Sequence, residues 1–157
     1  LFVSLALLLY ISFRFQLNFG LAAISAITHD ALIIFSIVSI FSLEINTAFI
    51  AALLTILGYS INDTIVIFDK IREYIEKQLP ETFATTINTA LNHTLTRTIN
   101  TSITTLLVIL SLILFGGKTI QEFCIILAIG IISGTYSSLC IASPILNIFK
   151  TKEDLNQ

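Results

Sequence analysis

Four ionisable side chains stand inside apolar runs of this 157-residue chain: His29, Asp30, Asp63 and Arg97. Such a group at the centre of a bilayer costs about 2.5–3.5 kcal/mol on insertion scales, so each needs a partner or a task. Asp63 lies six positions before Asp69, where one run ends, and Arg97 six positions after Leu91, where the next is about to begin. On consecutive antiparallel helices both charges would sit roughly 9 Å inside the same end. Opposite charges at matched depth suggest an intramembrane ion pair, or a pair that forms and breaks.

Each charge also sits on a polar stripe. Thr55, Tyr59, Asn62 and Asp63 share one helical face by spacing, and so do Arg97, Thr101, Thr104 and Thr105. Two facing polar stripes can hold water. A carboxylate there could take up and release protons, since desolvation favours its neutral form and a guanidinium its ionised form. The bland alternative, a static salt bridge that fixes helix register, has equal weight on these residues alone. His29 and Asp30 are adjacent in one run. They point about 100° apart, so they are expected not to face a single partner. Asp30 is a candidate second acid, and His29 reads as a hydrogen-bonded packing residue. No second His or Cys stands at ligand spacing, so no metal site is expected. Phosphate loops, a GxSxG turn and a Cys/His set with an orienting group are also absent, which argues against an enzyme.

The elements that must carry these groups follow from composition. The chain is 55% hydrophobic and 11% charged, with a mean hydropathy of +0.95; soluble domains carry charge at about a quarter of positions. Apolar runs fall at about 1–13, 19–42, 47–69, 94–115 and 121–149. They are too long for barrel strands, so the expected fold is an all-α integral membrane bundle of five helices, the first truncated, in one domain over 1–157. Arg14, Lys70, Arg72, Lys77, Lys150 and Lys152 fall on one side of alternating helices and Lys118 on the other. The positive-inside rule then makes the 70–93 segment and the C-terminus cytoplasmic. Within that segment Phe83, Ile87, Leu91 and Leu95 recur every fourth residue after Pro80. That stripe suits either a cytoplasmic amphipathic helix lying at the interface or a solvated helical hairpin.

Gly130, Gly134, Ser138 and Ala142 form a small-residue ridge that lets another helix approach, and Pro144 is expected to kink or loosen the end of its helix. Cys124 and Cys140, roughly 24 Å apart along one helix, cannot bridge and read as packing residues. The net charge of −2 argues against nucleic acid. The chain opens Leu-Phe-Val-Ser and contains no Met, so its natural start is expected upstream. A charged n-region and a cleavage site, the marks of a signal peptide, are not seen.

Four strings carry a family resemblance. They are Gly58-Tyr-Ser-Ile-Asn-Asp-Thr64 continuing to Glu73; Thr94-Leu-Thr-Arg-Thr98 with Thr101-Ser-Ile-Thr-Thr-Leu-Leu107; Phe115-Gly-Gly117; and Gly130-Ile-Ile-Ser-Gly-Thr-Tyr-Ser-Ser138. In order and spacing, from about Arg14 onward, the chain resembles the membrane region of SecF, the partner of SecD in bacterial protein export, a family related to resistance-nodulation-division exporters. The resemblance implies a subunit that uses the proton gradient to promote translocation, which chooses relay over static bridge. The family's membrane aspartate falls on Asp63 and its membrane arginine on Arg97. A His-Asp pair falls on His29 and Asp30, which join Tyr59, Asn62, Thr101 and Thr104 as candidate supporting residues. Implied partners are SecD, the SecYEG translocon, a YajC-like accessory subunit and membrane lipid, with protons as the coupling ion and no other cofactor. The implied location is the cell inner membrane or an organellar membrane descended from it. SecF begins with a membrane helix and a large outer-face domain, neither of which is in this sequence. A related proton-driven exporter of lipids or small hydrophobic molecules is the alternative function, and a scaffold that only sets helix register is a third.

Overall fold

The computed structural model describes residues 17–77 and 82–154. Every element there is helical: α1 Leu17–Ile40, α2 Thr47–Glu76, α3 Phe83–Phe115, α4 Lys118–Ser137, a π-helical turn Ser138–Ala142, and α5 Ser143–Asp154. Four helical stretches are long and apolar enough to cross a membrane: Asn18–Ile40, Thr47–Glu76, Phe83–Phe115 and Ile120–Phe149. The expected first span at 1–13 lies outside the described residues, so the bundle seen has four members rather than five.

Local chemistry sets the helix ends. The Asn46 side chain accepts from the Phe49 amide at 3.0 Å and starts α2. Thr82 caps α3 in the same way, accepting from Thr85 at 3.4 Å. Each satisfies an amide that the first helical turn leaves unpaired. Between α3 and α4 the chain reverses at Gly116-Gly117, where Gly117 has φ +80°. A side chain strains that backbone, so Gly117→Ala is expected to lower stability by about 1–2 kcal/mol, read as a fall in melting temperature of the reconstituted protein.

The 70–93 segment is built differently from the separate amphipathic helix expected there. Helix α2 runs on to Glu76, and α3 starts at Phe83 and continues unbroken to Phe115. The Phe83, Ile87 and Leu91 stripe is the first part of α3 and packs into the bundle beside Phe19, Phe68 and Ile71. The physical reason is plain: no proline or glycine interrupts 83–115, so helical bonding propagates from the Thr82 cap. Pro80 and Glu81 lie outside the described residues.

Helix α4 packs against α1, α2 and α3, and α2 also touches α1 and α3. Lipid tails are as apolar as leucine, so close packing and buried polar bonds, rather than burial from water, hold such a bundle together. Gly130 and Gly134 permit the approach of α4 to α2: a methyl on Gly130 would fall on the Ile56 side chain, and one on Gly134 would come 3.0 Å from Ser60 Cβ. Pro144 removes the amide that a helix would use there. The π turn at Ser138–Ala142 lies just before it, and Ser143 Oγ donates to the Ser138 carbonyl at 3.4 Å. Cys124 is buried as expected of a packing residue, but Cys140, at this turn, is exposed.

Two apolar clusters fill the interior. One joins Phe19, Ala22 and Ala26 to Ile67, Phe68, Ile71, Ile87, Ala90, Ala142 and Leu146. The other joins Ile34 and Val38 to Phe49, Ala52, Ile56, Ile109, Cys124, Leu127 and Ile131. Between them, in mid-helix on all four spans, lies a layer of buried polar residues: Asp30, Ser60, Asp63, Thr64, Thr94, Thr98, Ser102, Ser137 and Ser138.

Candidate functional site

That polar layer is the candidate site. Helix α1 contributes Asp30, whose side chain is fully buried. Its carboxylate accepts from Ser60 at 2.6 Å, from Ser137 at 2.7 Å and from Ser133 at 2.9 Å. His29 Nδ1 lies 3.3 Å from Asp30 Oδ1, and the His29 ring is tilted against Tyr136 with centroids 6.3 Å apart. Both residues of the pair therefore have contacts on α4, and Asp30 also reaches α2 through Ser60, a second helix as expected for at least one of them. A 100° separation on one helix is spanned when the facing helix supplies contacts at Ser133, Tyr136 and Ser137, because these lie within little more than a turn of each other.

One turn along α2 from Ser60, Asp63 is buried at 6% exposure. Its Oδ2 is enclosed and, among the described residues, has no hydrogen-bond partner. An enclosed carboxylate oxygen left unpaired is costly, and groups of this kind concentrate where a side chain changes state. Next to it Thr64 pairs with Ser138 at 2.9 Å, and Ser138 donates to the Ser60 carbonyl at 3.2 Å. Tyr59 donates to Ser102 of α3 at 3.4 Å, and Ser102 pairs with Thr135 of α4 at 2.7 Å. Since α2 and α3 run antiparallel, the Tyr59–Ser102 contact places Asp63, four residues on, at the level of Thr98, four residues back.

Arg97 is exposed. It lines a cleft of about 340 Å³ between α2 and α3, with Val66, Asp69, Lys70, Glu73, His93 and Thr94. Among the described residues no ion pair joins it to Asp63. The expected direct contact is thus not formed in this conformation. Matched depth is not matched direction: Thr98 is buried, and its neighbour Arg97, about 100° further round the helix, is exposed. In the cleft, Lys70 pairs with Glu73 at 2.8 Å, and Lys77 pairs with the same Glu73 at 2.6 Å.

The two expected polar stripes do not face each other along their length. Thr55, Asn62, Thr101 and Thr104 are exposed. Thr55 donates to the Ala51 carbonyl, Thr101 to Arg97 and Thr98, Thr104 to Asn100 and Thr105 to Thr101. A threonine in an apolar helix can satisfy its hydroxyl on its own preceding turn, so polar identity alone does not mark the inward face. The inward face of α3 is Thr94, Thr98 and Ser102, four apart. That spacing was readable; the richer run of threonines on the other face masked it. Ser60, Ser133 and Ser137 were also missed, although Ser133 and Ser137 flank Gly134 in the small-residue ridge.

Comparison with known proteins gives the chain a family. The family model described as "Protein export membrane protein SecD/SecF, C-terminal" matches residues 1–152. The protein translocase subunit SecF of Rickettsia typhi is 48% identical over 98% of this chain and 50% of its own length. SecDF of Bacillus subtilis is 44% identical over 96% of this chain and 21% of its own. The chain thus spans about half the length of its SecF relatives. A crystal structure of SecDF in a super-membrane-facing form superposes with a TM-score of 0.87 at 44% identity, covering 95% of this chain and 20% of that one. SecDF of Thermus thermophilus, a translocon-associated membrane protein, gives 0.85 at 44% identity, covering 92% and 20%. With four membrane-crossing helices and a family match over nearly its whole length, this multi-pass membrane protein belongs to the SecD/SecF C-terminal family.

Proposed function

We propose that this chain is the membrane region of a SecF-type subunit that couples the proton gradient to protein translocation, with Asp63 as the proton-carrying group and Arg97 as the charge that biases it. The observation that carries this reading is the enclosed, unpaired Oδ2 of Asp63 within a mid-membrane polar layer, beside a charged cleft that holds Arg97. In the conformation seen, the carboxylate and the guanidinium are apart. A pair that forms when Asp63 ionises and parts when it is protonated gives two states whose balance the proton gradient can shift.

The proposed setting is the cell inner membrane, or an organellar membrane derived from it, with the α2–α3 connection and the C-terminus cytoplasmic. The basic residues Lys70, Arg72 and Lys77 at the end of α2 support that orientation. Relatives that join both parts in one SecDF chain support SecD as the partner. The SecYEG translocon, a YajC-like subunit and surrounding lipid complete the proposed assembly. Protons are the only coupling ion proposed, and no covalent chemistry is assigned to the chain.

Export of a secreted precursor by membrane vesicles, with the full-length protein and an imposed proton gradient, tests the reading. Arg97→Lys is expected to slow gradient-driven export about tenfold, because an ammonium does not replace the planar guanidinium fork that meets a carboxylate with two donors. Replacing Asp63 and Arg97 together by leucine separates relay from scaffold. A pair that only sets register can be exchanged for apolar residues without loss, whereas a relay loses gradient dependence.

A further inference from the structure

Asp30 has a geometry that the relay proposed above leaves unused. Its carboxylate, fully buried, gathers hydroxyls from two other helices: Ser60 on α2 at 2.6 Å, and Ser137 at 2.7 Å and Ser133 at 2.9 Å on α4. The contact is reinforced where it stands. Gly134 lets α4 approach so closely that an added methyl would sit 3.0 Å from Ser60 Cβ, and Ser138 donates to the Ser60 carbonyl at 3.2 Å. Ser60 is therefore held by side chain and by backbone, and it precedes Asp63 by three residues on the same helix.

Helix α3 is tied in differently. Ser102 links it to the other spans, to Tyr59 at 3.4 Å and to Thr135 at 2.7 Å. Thr94 instead donates to the Ala90 carbonyl of its own helix. Helix α3 is also the least enclosed of the four described spans, with 17% of an apolar 18-residue window buried against 33–44% in the others. The helix that carries Arg97 is thus the one outside the Asp30 grip.

We infer that Asp30 is a positioning residue: by joining Ser60 to Ser133 and Ser137 it locks α1, α2 and α4 into one block and fixes the rotation of α2 that holds Asp63 inside the polar layer. In this arrangement Asp30 carries no proton for transport. Its carboxylate has the acceptor sites for three hydroxyls, which a neutral amide with a single oxygen does not. The inference rests on the relay reading for its functional consequence, while the lock itself is a matter of geometry.

The test uses the full-length protein with SecD in proteoliposomes. Three readouts are taken: gradient-driven export, the infrared carboxyl band assigned to Asp63 by its loss in Asp63→Asn, and the distance distribution between spin labels at Leu32 on α1 and Ile132 on α4. Asp30→Asn is expected to shift the Asp63 band, broaden the distribution and lower export about tenfold to a hundredfold, the range for a displaced functional group. The double change Asp30→Ser with Ser137→Asp moves the carboxylate to the facing helix and keeps the hydroxyls around it; it is expected to recover most of the loss. Ser133→Ala removes one bond only and gives a smaller change of the same kind, which decides the matter if Asp30→Asn fails to insert. The inference is overturned if export falls while the Asp63 band and the distances stay at wild-type values, or if Asp30→Asn exports normally. Normal export by Asp63→Asn would sink the relay, yet the label distances would still report whether Asp30 locks the helices.

Discussion

Asp63→Asn in the full-length protein is expected to reduce gradient-driven export on the order of a hundredfold, the lower end of what a positioned proton-transfer group contributes. Asparagine is nearly the same shape and still polar, so the packing of α2 against α3 and α4 should survive. What it lacks is a proton that can be released. Asp63 is 6% exposed with Oδ2 unpaired, so the substitution removes no hydrogen bond to that oxygen. Export measured with and without a proton gradient separates the effects: the gradient-independent rate should match wild type, and the stimulated part should vanish. Loss of both would mean that the side chain matters for assembly instead.

Gly130→Ala is expected to destabilise the bundle by about 1–3 kcal/mol, the usual cost of overpacking a close contact. The added methyl falls on the Ile56 side chain, and Ile56 is fully buried, so it has no free space to enter. The helices must separate or α4 must shift along α2, and either loosens the neighbouring Gly134–Ser60 approach. Gly58→Ala is the contrast. Among the described residues nothing lies within 4 Å of a methyl there, so the helix preference for alanine decides, which favours the variant by up to about 1 kcal/mol. Thermal unfolding of the two variants in lipid should move in opposite directions. Equal shifts would show that close approach at Gly130 is not what holds α4.

The membrane spans were legible in the sequence because long apolar runs have few other readings. Their ends were less so. The polar stretch after Asp69 reads as an interruption, yet Lys70, Glu73 and Lys77 satisfy one another on the helix surface and let α2 continue to Glu76. Depth in the membrane was also readable by counting residues, and it put Asp63 and Arg97 at one level. Direction around the helix was not, because threonines occur on several faces of α3 and the hydrogen bond with α2 is made by Ser102. The Asp30 cluster was the hardest to see. Asp30 and Ser137 are 107 positions apart, and nothing in either local segment says which helix will lie beside which. The shared clue was the small-residue ridge on α4: where glycines bring two backbones together, the serines among them are pressed onto the partner helix.

In the proposed mechanism protons pass through Asp63. The direct measurement is proton movement into proteoliposomes that contain the full-length protein and SecD, followed with an internal pH dye after an imposed gradient. Wild type should acidify the lumen faster than empty vesicles, and Asp63→Asn should match the empty vesicles. Equal acidification by wild type and Asp63→Asn would show that Asp63 does not carry the protons.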